Sequence, residues 1–313
     1  MSVDRKPVVV VGSINMDLVA NAEAIPVKGE TVLGSGFQTH PGGKGANQAV
    51  AVARLGYPVR MIGRLGDDGF GRELRLALQV AGVDVGGMMV SPGSSGVALI
   101  VVSRAGENCI VVVPGANALL TPQDLDAQID IIRSAGIVLV QLEIPLETVE
   151  RLAEICAAEG IPLILDPAPA RELPASLLGR ATWFTPNEME AAFYLGGVEA
   201  GEPESVAQTL RDKGVDGLVL KLGSRGAWAD GGAEAAALVR PFKVNAVDTT
   251  AAGDAFNGAF ATGLMLGKPP AEAARFASAA AAVSVTRAGA QGSMATMEEA
   301  ETMMMRDPAH DQL

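Results

Sequence analysis

The segment "NAVDTTAAGDAFNGAF", Asn245 to Phe260, holds the residues best suited to chemistry. Small residues Ala251, Ala252 and Gly253 precede Asp254, and an apolar helical pattern follows. Free backbone N–H groups at such a helix start favour an anion, through donors and dipole together. A carboxylate there repels a phosphate if binding is the only task. It makes sense if Asp254 takes a proton from a hydroxyl that attacks phosphorus. An ordinary acid in the first turn of a helix explains Asp254 as well, so this segment alone leaves both readings open.

Other segments carry further candidates. "FTPNEMEA" sets Asn187 and Glu190 three apart on one face of a helix start. Such a pair can hold waters around Mg2+, which keeps much of its hydration shell. Capping beside a solvated acid is the plain alternative. "LKLGSRGAW", Leu220 to Trp228, is a strand ending in Gly-Ser-Arg-Gly, suited to lying along a nucleotide or to a hairpin turn. "VGSINMD" puts Asn15 and Asp17 just past the first strand, and Glu143 in "VLVQLEIP" ends another. Open α/β sheets bind ligands at the carboxyl ends of their strands. Asp17 and Asn47 together suit a polyhydroxyl ligand, since a carboxylate and an amide match paired hydroxyl donors and acceptors. Each of these is equally a loop polar group when taken singly. "HPGGKGANQAV", His40 to Val50, has the look of a phosphate loop, but Gly45 follows Lys44 where that loop needs Ser or Thr. Its glycines serve a different ligand, or only a tight turn into a helix.

The elements that must position these residues alternate along the chain. Strands are expected at Val8–Val11, Val59–Ile62, Ile137–Leu142, Leu163–Leu165, Trp183–Thr185 and Leu218–Leu222. Helices are expected at Gly45–Leu55, from an Asp67 cap to about Ala81, Leu146–Ala158, Asn187–Leu195, Ser205–Lys213, Gly253–Leu266, Pro270–Val285 and Met297–Met305. Thr121-Pro122-Gln123-Asp124 reads as a capped helix start, with the helix ending near Gly136. The alternation implies a doubly wound, mainly parallel α/β sheet flanked by helices. Thr31–Gln38 and Gly96–Val113 break the rhythm, the second as a hairpin turning at Arg104 to Asn108. A small inserted β-sheet lid accounts for both, and its apolar faces need cover from the main body or from a second subunit.

Composition narrows the class. The 313 residues are 49% hydrophobic, enough for a large core and against disorder. A net charge of −12 argues against nucleic acid or an anionic membrane as the main partner. Cys109 and Cys156 stand alone and far apart, and His40 and His310 are the only histidines, so neither a disulfide framework nor a histidine-rich metal site is expected. The first apolar run is too short for a signal peptide, and a cytoplasmic location is expected. The tail after Arg306 is polar and expected to be loose.

The motifs "GSINMD", "GGKGANQAVA", "GDDGFG", "SSGVALI", "GEN", "PGAN", "QLEIPLE", "DPAPARELP", "TPNEMEA", "LGSRGAW", "VDTTAAGDAFNGA" and "VTRAGAQGS" run nearly end to end. In this order the chain resembles the ribokinase (phosphofructokinase-B-type) family of carbohydrate and nucleoside kinases. The resemblance implies one α/β domain over 1–313 with a lid from inserted segments at about 15–42 and 92–116, commonly dimerised through the lid. It implies transfer of the γ-phosphoryl group of ATP to the 5-hydroxyl of D-ribose. Asn15, Met16, Asp17, Gly43, Lys44, Gly45, Ala46, Asn47 and Glu143 would then contact the sugar, with Ala98 and Ile110 pressing from the lid. Asp254 would be the base, and Ala251, Ala252 and Gly253 the anion hole. Asn187, Lys221, Leu222, Gly223, Ser224, Arg225, Gly226, Gly253, Asp254 and Ser278 would hold ATP. Asn187 and Glu190 would hold Mg2+ through water. Asp248, Thr250, Ser284, Arg287, Gly289 and Ser293 would form a site for activating K+. Two residues depart from the family's pattern. Lys221 stands where Thr is frequent and Ser278 where His is frequent. The rivals are a family kinase acting on deoxyribose, fructose or a nucleoside, and a catalytically silent sugar-binding regulator.

Overall fold

A computed structural model describes residues 5–197, 201–231 and 236–306, so the tail expected after Arg306 lies outside the described residues. The chain opens with β1 (Val8–Val11), β2 (Asn15–Ala22), β3 (Gly34–Gly42), α1 (Lys44–Arg54), β4 (Val59–Gly66), α2 (Gly69–Val80) and β5 (Asp84–Ser91). A hairpin of β6 (Gly96–Ser103) and β7 (Asn108–Val113) follows, then α3 (Pro122–Ala127) and α4 (Ile129–Arg133). The alternation resumes with β8 (Ile137–Val140), α5 (Leu146–Glu159), β9 (Leu163–Leu165), α6 (Ala175–Leu178), β10 (Trp183–Phe184), α7 (Glu188–Tyr194), α8 (Pro203–Asp212) and β11 (Gly217–Lys221). The last elements are β12 (Ala227–Asp230), β13 (Ala237–Val239), α9 (Ala252–Met265), α10 (Pro270–Ser284) and α11 (Met297–Met305).

Nine strands form one sheet in the order β13-β12-β11-β10-β9-β8-β1-β4-β5. Every pairing from β11 to β5 is parallel, and β12 and β13 add an antiparallel edge. The period-two pleat explains why β1 is apolar throughout. Val8 and Val10 face a core built with α1, α9 and α10, whereas Val9 and Val11 face one built with α5 and α8.

The second sheet has the order β3-β2-β6-β7. Its strands fall within residues 15–42 and 92–116. Asn15 and Asp17 therefore lie inside a strand, not in a loop past β1, and β2 carries the chain straight from the main body into the lid. The first lid strand after the turn is Gly34–Gly42, shifted from the expected Thr31–Gln38 because pairing with β2 sets its bounds. Two more expectations change. Asp68, not Asp67, caps α2 by accepting from Gly71 N at 2.7 Å, while Asp67 accepts from Gly93 N at 2.9 Å. Asp68 also accepts from Ser95 N at 3.0 Å, so "GDDGFG" ties α2 to the root of the lid hairpin. The helix opened by Thr121 has the expected capping box with Asp124, but it breaks at Gln128 into α3 and α4.

Candidate functional site

The residues expected to contact a sugar gather where β1 and β8 end and α1 begins. Gly43 is the N-cap of α1 with φ +89, and a Cβ there would meet Asn15 N at 2.6 Å. A Cβ on Gly45 would lie 2.7 Å from the Gly12 carbonyl carbon. These glycines thus let the start of α1 press against the β1–β2 connection. Gly42 does the same for a side chain, since its Cβ would overlap the Asp17 carboxylate. Asn117, which the sequence reading did not single out, donates to Asn15 Oδ1 at 2.7 Å and brackets both backbone groups of Ile14. Ser13, also not foreseen, donates to Glu143 Oε2 at 2.5 Å, and Lys44 N donates to the same oxygen at 3.3 Å.

Asp17 pairs in register with Ala98 on one side and His40 on the other, and Ala98 pairs with Val112. Ile110 is one pair further out on that face, opposite Ile100, and half exposed. Met16 points the other way along the pleat and is fully buried in the core, as is Ala46. Their side chains offer a ligand no surface, which corrects the expectation that they touch it. Burial, with Glu143 and Asp254 nearby, pushes Asp17 up to about 7. Burial alone would lower Lys44, but Asp254, Asp166, Glu143 and Glu190 more than offset it and hold the ammonium above its ordinary value.

Asp254 sits in the first turn of α9 and is 5% exposed. Asn47 Nδ2 donates to one carboxylate oxygen at 3.0 Å, and Gln48 Nε2 to the other at 3.1 Å. Gln48 donates also to Asp166 Oδ2 at 2.9 Å and accepts from Gln141 Nε2 at 2.6 Å. Burial pushes Asp254 up to about 6, against the pull of Lys44 and the two amides. Among the described non-glycine residues only Ala251, the N-cap of α9, has positive φ, at 57°. A left-handed residue with a Cβ costs about 1–2 kcal/mol, and such strain gathers at functional turns. Ala252 N is spent on Thr249 O at 3.2 Å, which corrects its place in the anion hole. The N–H groups of Ala251, Gly253 and Asp254 have no partner among the described residues, as expected for a helix start. Gln48 and Asp166 were both missed. Gln48 follows Asn47 directly, and Asp166 immediately follows β9, so the strand-end rule that singled out Glu143 would have found it.

Among the residues expected to hold ATP, Lys221 ends β11 and pairs with Asp166 at 3.0 Å. Leu222 is buried, and Gly223, Ser224 and Arg225 form an exposed helical turn into β12, so "LGSRGAW" is a hairpin connection. Gly226 has φ +97, and a Cβ on it would overlap Val239 O. Arg225 pairs with Glu188. Ser278 is half-buried on α10. Asn187 caps α7 and forms a capping box with Glu190, whose Oε2 accepts from Asn187 N at 2.7 Å. Oε1 of Glu190 carries no hydrogen bond among the described residues, and Oε2 keeps a second acceptor site. Burial raises Glu190, Lys221 and Lys44 lower it, Asp166 raises it, and the net shift is upward.

The loop before α9 is tied to the end of α10. Asp248 accepts from Thr250 N at 2.9 Å and from Gly289 N at 2.8 Å, and the Val247 and Asp248 N–H groups donate to Val285 O. Ser284 and Ser293 hydroxyls donate to carbonyls of their own turns, and Arg287 turns away to Glu299. Asp248, Thr250 and Gly289 are thus brought together, while the Arg287 side chain is not. Among the described residues no group of three or more His, Cys, Asp or Glu is placed to hold a metal ion, and no helix is long and apolar enough to cross a membrane.

The model of the pfkB family of carbohydrate kinases matches residues 5–297. The chain is 43% identical over 298 residues to the ribokinase of Bacillus subtilis (strain 168), covering 94% of this chain and 98% of that one. It is 37% identical over 297 residues to a deoxyribokinase of Salmonella typhi, covering 93% and 96%. Its fold matches the structure of Arabidopsis thaliana ribokinase complexed with ribose and ATP with a TM-score of 0.90, at 35% identity, over 97% of this chain and 100% of that one.

Proposed function

The chain belongs to the pfkB family of carbohydrate kinases, and from that premise we propose that it transfers the γ-phosphoryl group of ATP to the 5-hydroxyl of D-ribose. One observation carries the reading. A buried carboxylate, Asp254, is held by two amides at the start of α9, beside unspent backbone N–H groups and close enough to Asp17 to raise its pKa. Ionised Asp254 accepts the 5-hydroxyl proton as that oxygen attacks the γ-phosphorus. The bond to the bridging oxygen of ADP breaks, and the Gly253 and Asp254 N–H groups hold the charge on the transferring group. Asn47 and Gln48 keep Asp254 ionised near neutrality, while burial keeps it basic.

Asp17, Asn15, Lys44, Asn47 and Glu143 are assigned to the sugar, under a lid row of Ala98, Val112 and Ile110. Gly223 to Gly226, Asn187 and Ser278 are assigned to the nucleotide. Asn187 and Glu190 would hold Mg2+ through water, since Glu190 Oε1 carries no hydrogen bond among the described residues and no group of three or more His, Cys, Asp or Glu is placed there to hold an ion directly. The ion would neutralise phosphate charge. K+ is assigned to the Asp248 loop, where the carboxylate and the turn at Gly289 converge behind the strained Ala251. We read the chain as one α/β domain whose lid, 15–42 and 92–116, pairs with that of a second copy. A site built for ATP points to the cytoplasm.

An ADP-release assay over ribose, 2-deoxyribose, 5-deoxyribose, fructose and nucleosides tests the proposal. Ribose is expected to give the highest kcat/KM, and 5-deoxyribose to inhibit without ADP release. Preference for 2-deoxyribose, fructose or a nucleoside would replace ribose as the acceptor. Sugar binding without ADP release would make the protein a silent regulator.

A further inference from the structure

Lys221 and Asp166 form a nearly buried ion pair, with side chains 12% and 2% exposed. Their burial does not explain their presence. A buried pair gives back in attraction about what it loses in hydration, and apolar residues of similar size often serve as well. Their place is more telling. Asp166 follows β9 and Lys221 ends β11, so the pair spans the carboxyl end of β10. Lys221 Nζ lies 3.6 Å from where a Cβ on Gly253 would stand. The ammonium therefore borders the same space as the unspent N–H groups of Gly253 and Asp254.

The pair is also registered to the base. Lys221 donates to Asp166 Oδ1 at 3.0 Å, Gln48 donates to Asp166 Oδ2 at 2.9 Å, and the same Gln48 nitrogen reaches Asp254 Oδ1 at 3.1 Å. Three bonds thus fix an ammonium at a set distance from the group that activates the attacking hydroxyl. An ammonium carries three donors, and Asp166 takes one. Building on the phosphotransfer reading, we propose that Lys221 donates to the transferring phosphoryl group at the start of α9, with Asp166 as the residue that positions it. The charge on the transferring oxygens then meets a fixed ammonium as well as backbone donors, which is electrostatic preorganisation. ADP ends at the β-phosphate, so the contact distinguishes ATP from ADP.

Titration calorimetry with Mg2+ and either the β,γ-imido analogue of ATP or ADP tests this. Lys221→Met alone leaves Asp166 buried and unpaired, so Lys221→Met/Asp166→Asn, which removes both charges, is the main variant. It is expected to bind the analogue about 10-fold more weakly and ADP within about 2-fold of wild type, and to lose about 10²-fold in ribose-dependent kcat. Lys221→Arg should recover part of the analogue affinity. Equal losses for analogue and ADP, or turnover within about 3-fold of wild type, would overturn the assignment. If wild-type protein releases no ADP with any sugar, the kinase reading fails, while the contrast between analogue and ADP still decides whether Lys221 meets the terminal phosphate.

Discussion

Two short runs of nearly the same residues, Val8–Val11 and Ile110–Val113, meet opposite fates. Every residue of the first is fully buried, whereas the second is 44–55% exposed along its whole length. β1 lies in the middle of a sheet covered by helices on both faces, and β7 is the edge of a sheet with no such cover. Apolar content therefore does not decide burial; the neighbours do. The covered sheet gives the reacting groups a rigid mount, since Asp166, Lys221, Gln48 and Asp254 are held at or against its strand ends. The bare sheet carries Asp17 and, in register with it, Ala98 and Val112. Its outer strand is exposed on both faces, an apolar surface of the kind that a second subunit covers.

The strongest way to break that comparison is the same substitution in both strands. Val9→Asp should leave no folded protein, because an unpaired buried carboxylate costs several kcal/mol of a total of about 5–15. Val113→Asp should fold, with stability within about 1 kcal/mol of wild type, and light scattering should find a monomer where wild type is expected to give a dimer. A wild-type monomer at micromolar concentration would remove the second copy from the account.

Asp254→Asn is next in size. Turnover should fall at least about 10²-fold, the usual scale for a lost general base, with the ATP analogue still bound in calorimetry. In wild type, kcat/KM should fall as the pH drops through about 6, where Asp254 of the ligand-free protein takes up a proton and can no longer accept one. Asp17→Ala belongs to the lid side and should act on affinity. Ribose binding should weaken about 10-fold or more, with ATP binding nearly unchanged, because two sugar hydroxyls lose a charged partner. Equal losses for both ligands would blur the division between the sheets.

Further effects sharpen the picture. Turnover in K+ should exceed turnover in Na+ at equal ionic strength, and Asp248→Ala should erase the difference, because an ion held at the Asp248 loop would fix the turn that carries Ala251 to Gly253. Asp17 also makes a stability prediction. Its folded value of about 7 lies above the usual 3.8, so the folded state holds the proton more tightly than the unfolded state. The stability this contributes is present below about pH 4 and is lost as the pH rises through 7. Asp17→Asn should thus stabilise the ligand-free protein by up to about 4 kcal/mol at pH 8, from a rise of about three in its pKa, and by little at pH 4, as urea unfolding would report.

Much of this was legible beforehand. β1, β9, α5 and the Thr121 capping box lie within a residue or so of where pattern and caps put them, because local rules set them. Asp254 stood out because a helix start and an acid coincide. Asp67 and Asp68 are neighbours with equal local claims to a cap, and only the approach of Gly93 and Ser95 separates them. Met16 lies between two polar candidates, and the pleat of β2 sends it to the core. Gln48 looks like an ordinary helix residue until Asp166, 118 positions away, arrives opposite its amide. The charge network around the base is tertiary, and no local pattern announces it.

The central claim is that the covered sheet aims the 5-hydroxyl of a sugar at the terminal phosphorus of ATP. Proton-coupled phosphorus NMR of the product from ribose, ATP and Mg2+ reads this directly. A phosphomonoester split into a triplet by the two protons on C5 is the predicted result. A doublet, which places the phosphoryl group on a carbon bearing one proton, would contradict it.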